Sequence, residues 1–190
     1  MKRSTSILVL IAASAIVATV TVASKSGPSP IEEKRAQIKR GEYLVTIGGC
    51  NDCHTPLRLG ANGPEPDMSR MLSGHPQHVT MPAPPKLAEG PWESIGSATN
   101  TAFAGPWGVS YARNLTPDDM TGLGIWTEEM FVTTIRTGRH WGVSRPIMPP
   151  MPWFNYAKMS DEDLRSVYAY LRTLKPVRNQ VPDAIIAPKS

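Results

Sequence analysis

The stretch Cys50-Asn51-Asp52-Cys53-His54 decides how the rest of the chain is read. Two thiols three residues apart share one face of a helical turn, so both sulfurs can reach the same edge of a flat ligand. The next residue turns an imidazole toward that ligand's centre. Cys-x-x-Cys-His is the attachment pattern of a covalent, iron-bearing c-type haem. Both cysteines of the chain lie in it, which leaves none for a disulfide. Two other chemistries use such thiols. A redox-active pair needs no trailing histidine and would want a βαβ surround, which is not found. A zinc site would call on His75 and His78 to complete a Cys2His2 set, at a spacing shorter than the usual three to five intervening residues.

A length of 190 residues suits one domain. Hydrophobic residues make up 41% and aromatics only 7%, a modest core that a buried porphyrin would supplement. Lys2 and Arg3 precede an uncharged run from Ile7 to Ala23, which reads as a secretory signal with a cleavage site at Val22-Ala23-Ser24. The same run sits at the lower limit for a spanning helix, so a membrane anchor through residues 7–23 is the alternative; its shortness favours cleavage. Either way the folded part is expected outside the cytoplasm, in a bacterial periplasm. Without residues 1–24 the chain keeps 18 Lys+Arg against 16 Asp+Glu, a net charge of +2, and nothing supports nucleic-acid binding.

Ser29-Pro30-Ile31-Glu32 predicts a helix start: Ser29 as N-cap, Pro30 at the first helical position, Glu32 closing a capping box. That helix is expected to run to about Ile47, with Ile38, Gly41, Leu44 and Val45 on one face and Gly48-Gly49 ending it. Gly41 in mid-helix predicts a close crossing by another helix. Residues 56–106 hold nine Pro and six Gly, so neither a helix nor a central strand is expected there. Trp92, Phe103 and Trp107 suggest an ordered lid. A second helix is expected from Thr127 to about Thr137 with Gly138 as its stop. A third is capped by Ser160, presents Leu164, Val167, Tyr168, Leu171 and Leu174 on one face, and ends before Pro176. From Val177 an irregular strap is expected.

The group that fills the iron's second axial position decides the function. A methionine closes a relatively high-potential electron-transfer centre, whereas an open site binds gas or catalyses. Prolines hold Pro146-Ile147-Met148-Pro149-Pro150-Met151-Pro152-Trp153 extended, which fixes the direction of a thioether at low entropic cost. The pair Met148 and Met151 are therefore the candidates, with His140, His75 and His78 as rivals. Met130 and Met159 read as helix packing or surface residues.

These residues together resemble the class I cytochromes c of bacterial periplasms over about residues 37–180. The resemblance rests on Cys50-Asn51-Asp52-Cys53-His54, Asn114-Leu115-Thr116-Pro117, Thr121-Gly122-Leu123-Gly124-Ile125-Trp126-Thr127, Met151-Pro152-Trp153, and Asp161-Glu162-Asp163-Leu164 leading to Ala169-Tyr170-Leu171. The Met-Pro-aromatic element is similar to that of cytochrome subunits of membrane-bound dehydrogenases. The resemblance implies an all-α cytochrome c fold, three or four helices around one covalent haem c and its iron, with 56–106 as a long loop insertion. It implies His54 and Met151 as iron ligands and the Arg113 carbonyl as partner of the His54 ring. It also implies the Trp126 indole at a haem propionate, and Gly41 as the place where the last helix crosses near Tyr168. Residues 1–24 are then signal or anchor, 25–36 linker and start of the first helix, 37–180 the cytochrome domain and 181–190 a tail. The expected role is a one-electron carrier rather than an enzyme, between a dehydrogenase donor and an oxidase or cytochrome acceptor of a respiratory chain. The alternative is a haem enzyme or gas sensor whose sixth ligand is open or displaceable.

Overall fold

The computed structural model describes residues 27–86 and 90–187. The expected export segment, residues 1–24, lies outside the described residues; among those described, no helix is long and apolar enough to cross a membrane.

Helix α1 spans Pro30–Ile47 and starts as its residues dictate. The Ser29 backbone N–H donates to the Glu32 carboxylate at 2.7 Å, and the Ser29 hydroxyl accepts from the Glu32 N–H at 3.3 Å. Both partners satisfy groups that a helix end leaves unpaired. Gly41, Leu44 and Val45 are its buried residues. A short helix α2, Cys50–His54, follows a left-handed turn at Gly49. Helix α3, Glu128–Thr137, is capped by Thr127 and released by Gly138 in the left-handed conformation. A four-residue helix α4, Trp153–Tyr156, precedes α5, Asp161–Leu171, whose cap is Ser160. Helices α1 and α5 pack against one another most extensively, and α3 joins them. Leu44, Val45, Phe131, Ile135, Leu164, Val167 and Leu171 meet in one core.

The crossing of α1 and α5 falls at Gly41. A methyl group there would overlap the Ser166 carbonyl oxygen and stand 2.8 Å from the Tyr170 Cβ. The contact is thus with Ser166 and Tyr170, two residues to either side of Tyr168. Arg40 and Asp163 close the same crossing with an ion pair at 2.9 Å, and the guanidinium holds the Asp163 carboxyl below the usual carboxylate range.

The all-α expectation is overturned. Beside five α-helices, the described residues form two antiparallel sheets. Strands β1 (Leu57–Gly60) and β2 (Gly63–Pro66) make a hairpin. Strands β3 (Ile95–Gly96), β4 (Ala102–Gly105), β5 (Gly108–Tyr111) and β6 (Ile185–Ile186) make a four-stranded sheet in that order. Pro64 and Pro66 are tolerated because β2 has no partner on its other side, so their missing N–H groups break no ladder. The strands are two to four residues long, too short for alternation to show, and tight glycine turns join two of the pairs. Residues 105–108 make such a turn, with Gly108 at φ 104°. Of the three aromatics in the 56–106 stretch and its border, Phe103 and Trp107 are half-buried while Trp92 is 78% exposed.

The tail from Val177 crosses the 70s loop before it supplies β6. Asn179 is fully buried there and uses its whole amide. Its Nδ2 donates to the Ser73 and His75 carbonyls at 2.7 and 2.8 Å; its Oδ1 accepts from Arg70 at 2.8 Å and the Gln77 N–H at 2.9 Å.

Two outcomes are expected. Helix propensity alone would let Gly41→Ala stabilise the protein by about 1 kcal/mol. The overlap with Ser166 reverses that sign, and we expect a loss of about 1–3 kcal/mol in denaturant unfolding. Asn179→Ala strands four partners at once and should cost about 2–4 kcal/mol by the same measurement.

Candidate haem site

Helix α2 carries the thiols and the imidazole on one turn, and its neighbours brace it from all sides. The Tyr156 hydroxyl donates to the Gly48 carbonyl at 2.5 Å, the Asn100 amide to the Asp52 carbonyl at 2.7 Å, and the Gly74 N–H to the His54 carbonyl at 2.7 Å. Cys50 and Cys53 form no disulfide. Burial pushes the Cys50 thiol up to about 11 and raises that of Cys53 as well. At neutral pH both sulfurs are protonated and uncharged, which suits an apolar wall.

His54 is buried, and its Nδ1 lies 2.7 Å from the Arg113 carbonyl oxygen. A carbonyl only accepts, so Nδ1 carries the hydrogen and Nε2 keeps its lone pair. Burial lowers the pKa of the imidazole, outweighing the opposite pull of that hydrogen bond. His54 is therefore a neutral ring with fixed orientation and one free nitrogen, the form a metal requires.

Both thiols and His54 open on one cavity of about 270 Å³. Its walls are largely apolar: Leu44, Leu115, Leu123, Phe131, Ile135, Leu164, Val167 and Leu171 all contribute. Met148 and Met151, both half-buried, line the same cavity, together with Trp126, Arg113 and His140. The proline frame is tied to the sheet, since the Ser110 hydroxyl donates to the Pro149 carbonyl at 2.5 Å. Trp126 stands edge-on to His140 with ring centroids 5.2 Å apart, and its carbonyl accepts from the Tyr168 hydroxyl at 2.5 Å. The Arg113 guanidinium donates to the Pro182 carbonyl at 3.0 Å; burial and the neighbouring Arg145 lower its pKa.

These residues fit a haem. Two thiols at helical spacing, a neutral imidazole with one free nitrogen and two thioethers converge on one apolar space. Thr134, also on the wall, has a buried hydroxyl with no hydrogen-bond partner, a group that a ligand with polar edges would satisfy.

Several wall residues went unforeseen. Met159 reaches the cavity although its helix-side position suggested ordinary packing. Phe103, Ser110 and Tyr111 arrive through β4 and β5, and their contribution is invisible without the sheet. Arg145 lies in the same loop as His140, and no pattern in the sequence marks it.

The zinc alternative finds no support. His75 is fully buried with both ring nitrogens paired: Nδ1 with the Thr101 hydroxyl and Nε2 with the Val79 carbonyl, each at 2.9 Å. His78 is exposed. Among the described residues, no three His, Cys, Asp or Glu side chains gather as a metal site. A strong zinc chelator should leave the melting temperature unchanged. His75→Ala should lower stability by about 2–4 kcal/mol without changing the visible spectrum of the protein.

No protein-family model matches the chain. Similar proteins do exist. A fructose dehydrogenase cytochrome subunit of Gluconobacter japonicus is 30% identical over 156 residues, 82% of this chain and 25% of that protein. An alcohol dehydrogenase (quinone) cytochrome c subunit of Gluconobacter oxydans is 31% identical over 152 residues, 78% of this chain and 24% of its own length. A diheme cytochrome c-type protein of Cereibacter sphaeroides is 28% identical over 169 residues, covering 89% of this chain and 46% of that one. The chain thus spans about a quarter of the length of the dehydrogenase subunits it matches. With these relatives and that cavity, the chain stands among the c-type cytochromes and resembles the cytochrome subunits of dehydrogenases.

Proposed function

We propose that the chain is an exported carrier of single electrons, built on one haem c held by Cys50, Cys53, His54 and Met151. The observation that carries this reading is the convergence of both thiols, the pinned His54 imidazole and the Met148–Met151 segment on a single apolar cavity. A bound haem would supply the reversible Fe(III)/Fe(II) couple.

The chain's own residues do the rest. Cys50 and Cys53 would anchor the cofactor through sulfur, so it cannot be lost between redox partners. The Arg113 carbonyl keeps His54 in the tautomer that presents Nε2 and strengthens it as a donor. Prolines on either side of Met151 aim its thioether without a large entropic cost. The apolar walls keep water out and disfavour extra positive charge, which stabilises the reduced state. Trp126 would meet a propionate through its indole N–H.

In this reading residues 37–180 form the cytochrome domain, with 56–106 folded onto it, and residues 1–24 direct export to the periplasm or anchor the chain there. A dehydrogenase would donate electrons, and an oxidase or another cytochrome of a respiratory chain would accept them. The relatives' names as cytochrome subunits support the dehydrogenase side.

One observation favours a second reading, a haem enzyme or gas sensor with a displaceable sixth ligand. His140 stands on the cavity wall, and burial together with Arg145 lowers its pKa, so a neutral imidazole is at hand. Spectra of protein matured in a host competent for haem attachment separate the two. The carrier has a low-spin reduced form indifferent to carbon monoxide. Met151→Ala then opens the iron to carbon monoxide, and Met148→Ala does not; the reverse result assigns the bond to Met148. Binding of carbon monoxide by the unaltered protein would establish the second reading.

A further inference from the structure

We propose that the loop 139–145 is the docking site for an acidic one-electron redox protein, with Trp141 as its apolar anchor. The inference rests on the haem reading above and adds where the partner sits. Trp141 has φ 55° and ψ 20°, a left-handed conformation that a bulky residue adopts only when its surroundings impose it. The loop imposes it. The His140 N–H donates to the Arg145 carbonyl at 2.9 Å, the Gly142 N–H to the Arg139 carbonyl at 2.8 Å, and the Ser144 N–H to the His140 carbonyl at 2.9 Å. The strained turn buries Gly142 but leaves its large side chains to solvent: Trp141 is 49% exposed and Val143 is 82% exposed.

The surround of this apolar pair is cationic. Arg139 and Arg145 flank it and are exposed, and among the described residues neither pairs with a carboxylate within 4 Å. Arg145 lies close enough to His140 and Arg113 to disfavour the charged form of each. It is also part of the cavity wall, so the patch sits at the cavity's mouth. From there aromatic rings run inward in steps: Trp141 to His140 at 4.8 Å between centroids, His140 to Trp126 at 5.2 Å, and Trp126 on the cavity wall. A partner with an acidic rim around an apolar centre matches both the charge and the anchor. With a haem bound, a donor docked there would lose one electron as the iron went from Fe(III) to Fe(II), and an acceptor would gain one in the reverse change. No bond is made or broken, and no proton need move.

The test uses haem-loaded protein whose spectrum and reduction potential have been recorded, so that rates are compared at known driving force. Its oxidation is followed by stopped flow with an acidic blue-copper protein and with cationic cobalt tris(phenanthroline), at low and high salt. The rate with the copper protein should fall about tenfold or more as salt rises. Arg139→Gln with Arg145→Gln should lower the low-salt rate about 5–20-fold and flatten the salt dependence; Trp141→Ala should lower it about 3–10-fold. Neither change should slow the cobalt reaction. Copper-protein rates indifferent to both changes would overturn the docking site alone. So would Trp141-dependent sedimentation with anionic lipid vesicles without a rate effect, which would assign the patch to a membrane. A colourless product defeats the haem reading, and this inference falls with it.

Discussion

Two backbones touch at Gly41, and the shape of the site depends on that touch. Because residue 41 has no side chain, α5 lies on α1 at the distance of the Ser166 carbonyl rather than a methyl's width further off. The separation sets where Leu44 on one helix and Leu164, Val167 and Leu171 on the other stand, and these four residues are cavity wall. A wider crossing would move the wall away from α2, whose thiols and imidazole open on the same space. The Arg40–Asp163 pair fixes the angle at the surface but carries little of the load, being exposed and screened.

The second constraint ties helices to sheet. The carbonyl that orients His54 belongs to Arg113, two residues beyond the end of β5, while the hydroxyl that holds Pro149 belongs to Ser110 within β5. One strand therefore reaches both the imidazole and the methionine segment. The four-stranded sheet is part of the site's framework, and it is the part an all-helical expectation omits.

What the residues revealed followed the range of the forces at work. The starts of α1, α3 and α5 and the stop of α3 are set by Ser29, Thr127, Ser160 and Gly138, each acting within four residues, and these were foreseen; α5 ends at Leu171, short of the expected run through Leu174. The convergence of Cys50, Cys53 and His54 was equally local. Gly41 announced a crossing by its cost within a helix, though the partner atoms at Ser166 could not be read from position 41 alone. The sheet stayed hidden because β3 and β6 are two residues each, and β6 pairs with β5 from far along the chain, Ile185 opposite Val109, so that pairing is wholly tertiary. The prolines and glycines of 56–106 argued against a central strand there; Pro64 and Pro66 sit on the free edge of β2, but β4 lies between β3 and β5 and overturns that expectation. His75 suggested a metal ligand by composition. Its hydrogen bonds to Thr101 and Val79, made across a fold that spacing cannot convey, give it a structural post instead.

Seven of the nine buried residues in the main apolar cluster also border the cavity. The usual division between a scaffold that folds and a pocket that later receives its ligand does not hold for such an interior. Whatever occupies that space supplies the missing contacts of the core, and removing it exposes the same leucines and phenylalanine that hold α1, α3 and α5 together. Filling that space and consolidating tertiary structure would then be one coupled process, since a ligand held only by the folded chain stabilises it by mass action.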